Sequence, residues 1–340
     1  NAMTSSDWTI YFFSLPSNKT ELWAYLESSR FTDPVFREFF KERDVVAEER
    51  RLGIENNPVG KLVEEMLALS FKDHPYKVTV IGPMSNIQHI RRGDVKRYFS
   101  TNYSAKNLVI GVVGDVYPDQ LKKLANKYFS KLKPGRRIPP VFTVEPKQAG
   151  EKTLTMFEDS QPWLVMGYHC PSSRHKDFYK FSVLDYILTN GRSSRLYKKM
   201  VTKDKSALFV GSMAGFPGTK YPSLYLVYTL PNSGHTTQKL QEVILKEIEN
   251  LKKNPITEEE LKSAKTRLKV ALLRQMKAER WFLIGLLESE VNHGSWKKVF
   301  DVLDIIEKIT VKDIQELVNK YLETNNRVIA RIEKKKEVKK

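Results

Sequence analysis

The 340-residue chain is 41% hydrophobic and 11% aromatic, with 16 glycines and 16 prolines. This composition supplies true cores, excludes a wholly disordered or collagen-like polypeptide and leaves room for about two domains. One cysteine, Cys170, rules out an internal disulfide framework and a Cys-rich zinc finger, and the net charge of +17 comes without a basic, aromatic-interleaved stretch, so no specific nucleic-acid site is expected.

Asn1-Ala2-Met3 has the form of two vector-derived residues ahead of an initiator methionine. Trp8 to Phe13 reads as an apolar, aromatic strand closing at Leu15-Pro16, followed by a polar turn and a helix. Phe36 to Leu52 reads as a second helix, in which Phe36, Phe39, Val46 and Leu52 recur at near-helical spacing and are expected to face a core. Glu42 and Glu49 lie seven apart, so they share one face within about 20°. Val45 and Val46 sit between them on that stripe, which aims two carboxylates at an apolar surface, where an unpaired charge is costly. A divalent metal is one candidate for neutralising them. A solvated charged face, shared with Arg43, Glu48, Arg50 and Arg51 as solvent-type residues, is the alternative.

Leu108 to Val113 is a continuous apolar run suited to a central strand, halted by Gly114-Asp115. In the next helix Leu121, Leu124, Tyr128 and Leu132 form the apolar face, while Lys122, Lys123, Lys127 and Lys131 take the opposite one. A proline-marked linker, Pro134 to Pro146, leads to two strands (Thr153 to Met156, Trp163 to His169), a helix (Phe178 to Leu188) and a strand (Leu224 to Tyr228) ending at Leu230-Pro231. A further helix carries Leu240, Val243, Ile244 and Leu251 on its apolar face. The longest uncharged stretch, Tyr221 to Gln238, holds two prolines and alternates like a strand, so no membrane span is expected.

The chain repeats itself. Ile90, Asp94, Val95, Phe99, Asn107, Val109 and Ile110 match Ile309, Asp313, Ile314, Val318, Asn326, Val328 and Ile329, every pair separated by 219 positions. Leu15-Pro16 matches Leu230-Pro231 at an offset of 215. Two related units of α+β type follow: an incomplete first domain over 1–140, a second over 141–333 and a basic tail over 334–340. The second copy starts near Lys152, which puts the start of the first about sixty positions ahead of residue 1. The first domain therefore lacks the counterparts of two strands and a helix, and its sheet is expected to show bare edges.

The run Glu42-Arg43-Asp44-Val45-Val46-Ala47-Glu48-Glu49-Arg50, then Asn57-Pro58, His74-Pro75-Tyr76, Ile81-Gly82, Asn102-Tyr103, Asn107-Leu108 and Gly114-Asp115-Val116, resembles the pitrilysin/insulinase zinc peptidases, the inverzincins. The resemblance continues through Gly167-Tyr168, Pro171, Asp177 and Gly191-Arg192-Ser193-Ser194-Arg195-Leu196-Tyr197, in the family's order over nearly the whole chain. It implies two similar α+β domains of processing-peptidase type, arranged as half of a clamshell around a peptide chamber. It implies zinc held by two histidines of an H-x-x-E-H helix and a distant glutamate, the glutamate within the motif acting as general base. Glu49 matches the distant metal ligand, and Glu42 matches a supporting acid of the catalytic site. Asn1 and Ala2, followed by Thr4-Ser5, match an edge strand that pairs with substrate backbone, a second reading of those two residues.

The sequence also departs from the family. None of its six histidines (74, 89, 169, 175, 235 and 293) stands in an H-x-x-E-H pattern. His74, before Pro75, reads as a turn or packing residue. The Arg/Tyr pair that binds the substrate carbonyl in the family falls on Val201 and Leu208 here, so a partner chain in a homo- or heterodimer would supply it. The expectation is a subunit or fragment of a zinc endopeptidase acting on peptides, with zinc in the intact parent protein, none on this chain and no activity alone. The alternative is a non-catalytic scaffold or partner subunit of the same fold.

Overall fold

The computed structural model describes residues 1–335, so the expected tail falls outside the described residues beyond Lys335. The chain opens with a hairpin, β1 (Ala2–Thr4) and β2 (Thr9–Tyr11). Six helices follow: α1 (Thr20–Thr32), α2 (Phe39–Arg50), α3 (Pro58–Ser70), α4 (Met84–His89), α5 (Arg92–Asn102) and α6 (Pro118–Phe129). After a stretch without regular structure come β3 (Lys152–Glu158), β4 (Trp163–Cys170), α7 (Phe178–Leu188), β5 (Ala207–Phe216) and β6 (Ser223–Pro231). The chain then runs through α8 (Thr237–Lys253), α9 (Glu258–Lys277), α10 (Glu279–His293), α11 (Lys298–Lys308), α12 (Val311–Tyr321) and β7 (Arg327–Lys334). This is the α+β architecture expected from the sequence.

The five later strands form one sheet in the order β3-β7-β4-β6-β5, in which only β3 and β7 run parallel. Strand β4 is apolar at almost every position because both of its faces are covered. Leu164, Met166 and Tyr168 point into a core with Phe181 and Leu184 of α7, Leu240 and Ile244 of α8 and Leu317 of α12. Val165 points the other way, where Leu62, Met66 and Leu67 of α3 close the second face together with Leu224, Val328 and Ile332. A Cβ on Gly167 would come within 2.6 Å of Met66 Cε, so a glycine there lets α3 lie down on the sheet. The arrangement is reciprocal. A Cβ on Gly111 would meet Leu283 Cδ1 of α10 at 2.6 Å, so a helix from each half lies against the strand region of the other. Packing thus crosses the boundary near 140 that the repeat suggests.

The repeat is visible in hydrogen bonds. Helices α5 and α12 start and end 219 positions apart, and in both the aspartate at the third helical position accepts the N–H of the residue before the helix. Arg91 N–H donates to Asp94 Oδ2 and Thr310 N–H to Asp313 Oδ2, each at 2.9 Å, with the Thr310 hydroxyl completing a capping box in α12 alone. Both helices are followed by an asparagine that donates back to a helix carbonyl, Asn107 to Asn102 at 3.0 Å and Asn326 to Tyr321 at 2.8 Å.

Three expectations need correction. Leu108 to Val113 is not a strand: its counterpart β7 pairs with β3 and β4, but the backbone of Val109–Val113 makes no backbone hydrogen bond among the described residues, and Val109 and Ile110 are exposed. A strand exists only with a partner, and apolar sequence cannot supply one. The strand expected over Trp8 to Phe13 shortens to Thr9–Tyr11. Leu52 is 63% exposed instead of facing a core, because α2 widens into a π-helical turn over Arg51–Glu55 that rotates the apolar stripe away. The basic helix behaves as read: Leu121, Leu124 and Tyr128 of α6 are half-buried, Trp23 of α1 packs on Phe129 at 6.0 Å, and Lys127 pairs with Glu21 of α1 at 2.8 Å.

One buried acid makes the fold pH-sensitive. Asp185 of α7 is turned toward β5, where Ser212 donates to its Oδ1 at 2.7 Å. Burial pushes this carboxyl up to about 7, against the pull of the Ser212 hydrogen bond. The folded state therefore holds a proton that the unfolded chain has released. The contribution of Asp185 to stability is complete below about pH 4 and is lost as pH rises through about 7. Asp185→Asn is expected to flatten this loss, leaving the variant more stable than the parent chain at pH 8. Denaturant unfolding of both proteins at pH 5 and pH 8 checks it.

Candidate metal and peptide site

The pose of α2 is set by its junction with α3. Asn57 caps α3 by accepting the N–H groups of Val59 and Gly60 at 3.0 and 3.1 Å, and Pro58 takes the first helical position. A Cβ on Gly60 would lie 2.0 Å from the Gly53 carbonyl oxygen, so only a glycine lets the π-helical turn rest on α3. Arg50 locks the junction. Its guanidinium donates to both carboxylate oxygens of Glu64 at 2.9 and 3.0 Å, to Glu55 at 3.3 Å and to the Gly82 carbonyl at 2.5 Å.

Arg50 is 8% exposed, which corrects its reading as a solvent-type residue. A bidentate fork with a further carbonyl is the setting in which a buried guanidinium is stable. Glu42 and Glu49 are exposed, and Val45 between them is 44% exposed. The face that carries the two carboxylates is therefore shared but looks outward, not onto an apolar surface.

No histidine joins them. His74 is buried among Phe71, Tyr76 and Tyr221, and its Nδ1 accepts the Tyr76 N–H at 3.1 Å. Burial holds the imidazoles of His74 and His169 below their ordinary pKa. His89 is bonded to the Ser85 carbonyl of its own helix. Among the described residues, no group of three or more His, Cys, Asp or Glu side chains is placed to hold a metal.

The other motif residues hold the fold together. Tyr76 donates to Asp7 Oδ1 at 2.5 Å, and Asp7 Oδ2 accepts from Thr219 and Lys220 N–H at 2.8 and 3.0 Å, tying the first hairpin to the later half. Glu145 collects the N–H groups of Lys72, Asp73 and His74 at 2.7, 3.0 and 2.9 Å. Neither Asp7 nor Glu145 stands in a motif, and no spacing in the sequence marks them. Burial works to raise the Asp177 carboxyl, but hydrogen bonds from Lys180, Lys320 and Tyr321 outweigh it and hold it at about 2, joining α7 to α12. Arg195 forks onto Glu260 of α9 at 2.8 and 2.9 Å and reaches Glu247 of α8 at 3.1 Å. Val201 packs half-buried against the main core, and Leu208 is exposed on β5.

Asn1 and Ala2 lie at a strand edge. The α-amino group of Asn1 donates to the Phe12 carbonyl at 3.1 Å and Phe12 N–H returns a bond to Asn1 at 2.9 Å, so Asn1 and, by alternation, Met3 bond to β2. The main-chain groups of Ala2 and Thr4 face the outer edge, which has no strand partner among the described residues. Ala2 N–H turns to the side chain of Asn1 at 2.8 Å.

The family model described as the peptidase M16 inactive domain matches residues 89–268, more than half of the chain. The chain belongs to the peptidase M16 family. It is 30% identical to the zinc protease PqqE of Helicobacter pylori, over 94% of this chain and 73% of that protein. It is 25% identical to the beta subunit of the mitochondrial-processing peptidase of Saccharomyces cerevisiae, over 92% of this chain and 71% of that protein. Its fold matches the crystal structure of a protease from Helicobacter pylori with a TM-score of 0.91 at 29% identity, covering 98% of this chain and 81% of that one. The sequence resemblance is thereby borne out, and the chain is a zinc-protease-like M16 polypeptide. Among the described residues, no helix is long and apolar enough to cross a membrane.

Because Arg50 rather than Glu49 anchors α2, the two positions should respond oppositely. Arg50→Ala leaves Glu64 without its fork and is expected to cost about 3 kcal/mol or more. Glu49→Gln, at an exposed position, should stay within about 0.5 kcal/mol. Equilibrium unfolding of the two variants checks the contrast.

Proposed function

We propose that this chain is the zinc-incomplete part of a metalloendopeptidase that hydrolyses peptides in a clamshell chamber, and that it is inactive alone. The observation that carries this reading is the pairing of a firmly anchored α2 with an incomplete donor set. Catalytic zinc needs three protein ligands and an open position. The residues present do not fit that requirement: Glu49 has no histidine beside it, and no step through zinc is derived for this chain. What α2 offers is one carboxylate donor, Glu49, with Glu42 two turns away on the same outward face, awaiting a second set of ligands on another segment or chain.

Peptide binding is supported by the hairpin. The outer edge of β1, with the main-chain groups of Ala2 and Thr4 directed outward and Asn1 held against β2, suits addition of an extended substrate strand. Val201 and Leu208 offer no donor for a substrate carbonyl, so the proposed dimer partner supplies the Arg/Tyr pair. The β-subunit relative, by its name, works within an assembly.

A non-catalytic scaffold role is the second reading. It is favoured by Tyr76, Asp177 and Arg195, motif residues that all serve packing between elements.

The test is hydrolysis of an internally quenched peptide library. The chain alone, with or without added zinc, is expected to show no turnover. Addition of a polypeptide bearing an H-x-x-E-H helix of the family should restore it, and Glu49→Gln should abolish the restored activity. Chelator-sensitive turnover by the chain alone, or restored activity indifferent to Glu49→Gln, would overturn the proposal, whereas failure of any H-x-x-E-H polypeptide to restore turnover would leave the scaffold role standing.

A further inference from the structure

The strap that joins the two halves, between α6 and β3, is pinned but not buried. It has no regular structure, yet hydrogen bonds hold it along its length. Asn107 clasps it first, accepting the Ile138 N–H at 3.0 Å and donating to the Arg136 carbonyl at 2.9 Å. Val141 N–H then donates to the Tyr221 hydroxyl at 2.9 Å, Glu145 takes the N–H groups of residues 72–74, and Gln148 donates to the Arg327 carbonyl at 2.8 Å. Between the anchors at Val141 and Glu145 stand Phe142, Thr143 and Val144, all exposed. Phe142 is 79% and Val144 83% exposed, more than any other large hydrophobic residue among the described residues. With an anchor on each side, this short span has little slack to fold its apolar side chains back onto the protein.

The same strap is strongly basic. From Lys122 to Lys147 the sequence carries eight cations and one acid, Glu145, whose carboxylate is occupied by three main-chain N–H groups. Lys122 and Lys127 pair with Asp119 and Glu21. Lys131, Lys133, Arg136 and Lys147 are exposed and have no ion pair among the described residues. The clasp at Glu145 also brings Lys72 beside the strap, with Asp73 next to it, and Lys77 reaches the Lys72 carbonyl at 3.2 Å.

A bound peptide is gripped by a groove or a strand edge, and a nucleic acid by stacked aromatic rings in a basic channel. Here the apolar side chains project from a short irregular span, and the cations lie along it and beside it. Projecting apolar groups among unpaired cations suit a plane that is anionic at its surface and apolar just beneath. We propose that the strap over residues 131–147 docks this chain on an anionic lipid surface. Phe142 and Val144 enter the boundary between headgroups and acyl chains, while Lys131, Lys133, Arg136 and Lys147, joined by Lys72, meet the lipid phosphates. Attachment is peripheral, since no helix among the described residues is long and apolar enough to cross a membrane. The proposal is independent of the zinc reading.

The test is flotation of the full chain with vesicles of phosphatidylcholine alone or with about 30% phosphatidylglycerol, in about 0.1 M salt. Binding to the anionic vesicles is expected to be about tenfold tighter than to the neutral ones, or more. Phe142→Ser with Val144→Ser should weaken it about tenfold or more, while thermal unfolding stays that of the parent chain because both positions are exposed. Cys170 is buried, so a thiol-reactive, environment-sensitive fluorophore on Phe142→Cys reports the strap alone, and its emission should shift to the blue on anionic vesicles. Absent binding, equal binding to neutral vesicles, binding that the double variant keeps in full, or an unshifted emission on bound vesicles would each overturn the proposal. Tighter binding to a polyglutamate peptide or an oligonucleotide, lost in the double variant, would overturn it in favour of an acidic protein or a nucleic acid.

Discussion

The reciprocal loan of a helix between the two halves is the constraint on which the rest of this structure depends. Helix α3, from the first half, closes one face of the second half's sheet, and α10, from the second half, lies on the apolar run of the first. Both contacts pass over a glycine, Gly167 and Gly111, where a Cβ would meet Met66 of α3 or Leu283 of α10 at 2.6 Å and those side chains would have to shift. Because α3 is fixed on the sheet, Arg50 has a rigid partner in Glu64, and α2 inherits its pose from a core that lies in the other half of the chain. The two carboxylates of interest are therefore presented by a surface helix whose position is set by buried residues far from it in sequence.

Much of this was legible in the sequence. The α+β class, the 219-residue repeat and the helix over residues 178–188 follow from periodicity and internal matches, and the bonds to Asp94 and Asp313, 219 residues apart, carry the match down to single hydrogen bonds. The run from Leu108 to Val113 was not legible, because pattern describes what a segment can do in a sheet and not whether a neighbour is there to pair with it. Arg50 shows the converse: its charge argues for solvent, and only the three-dimensional fork onto Glu64 and Gly82 makes burial favourable. Asp7 and Glu145 clasp separate segments through main-chain N–H groups, which leave no trace in residue type or spacing.

The family's motif residues divide by role. His74, Tyr76, Asp177 and Arg195 serve capping, clasping and ion pairing within the chain, while Glu42 and Glu49 make no such contribution and stand on an open face. Exposed carboxylates that match a family pattern and make no contact within the chain are what the proposed shared site requires. That contrast, more than the resemblance alone, supports reading α2 as one side of a shared site.

Native-state hydrogen exchange of the full chain tests the helix loan most directly. If α3 belongs to the sheet it covers, the amides of residues 62–70 open with those of β4, β6 and β7 at one common free energy, well above that of α5 and α6. Exchange of residues 62–70 together with α5 and α6, at a lower free energy than the sheet, would contradict the account.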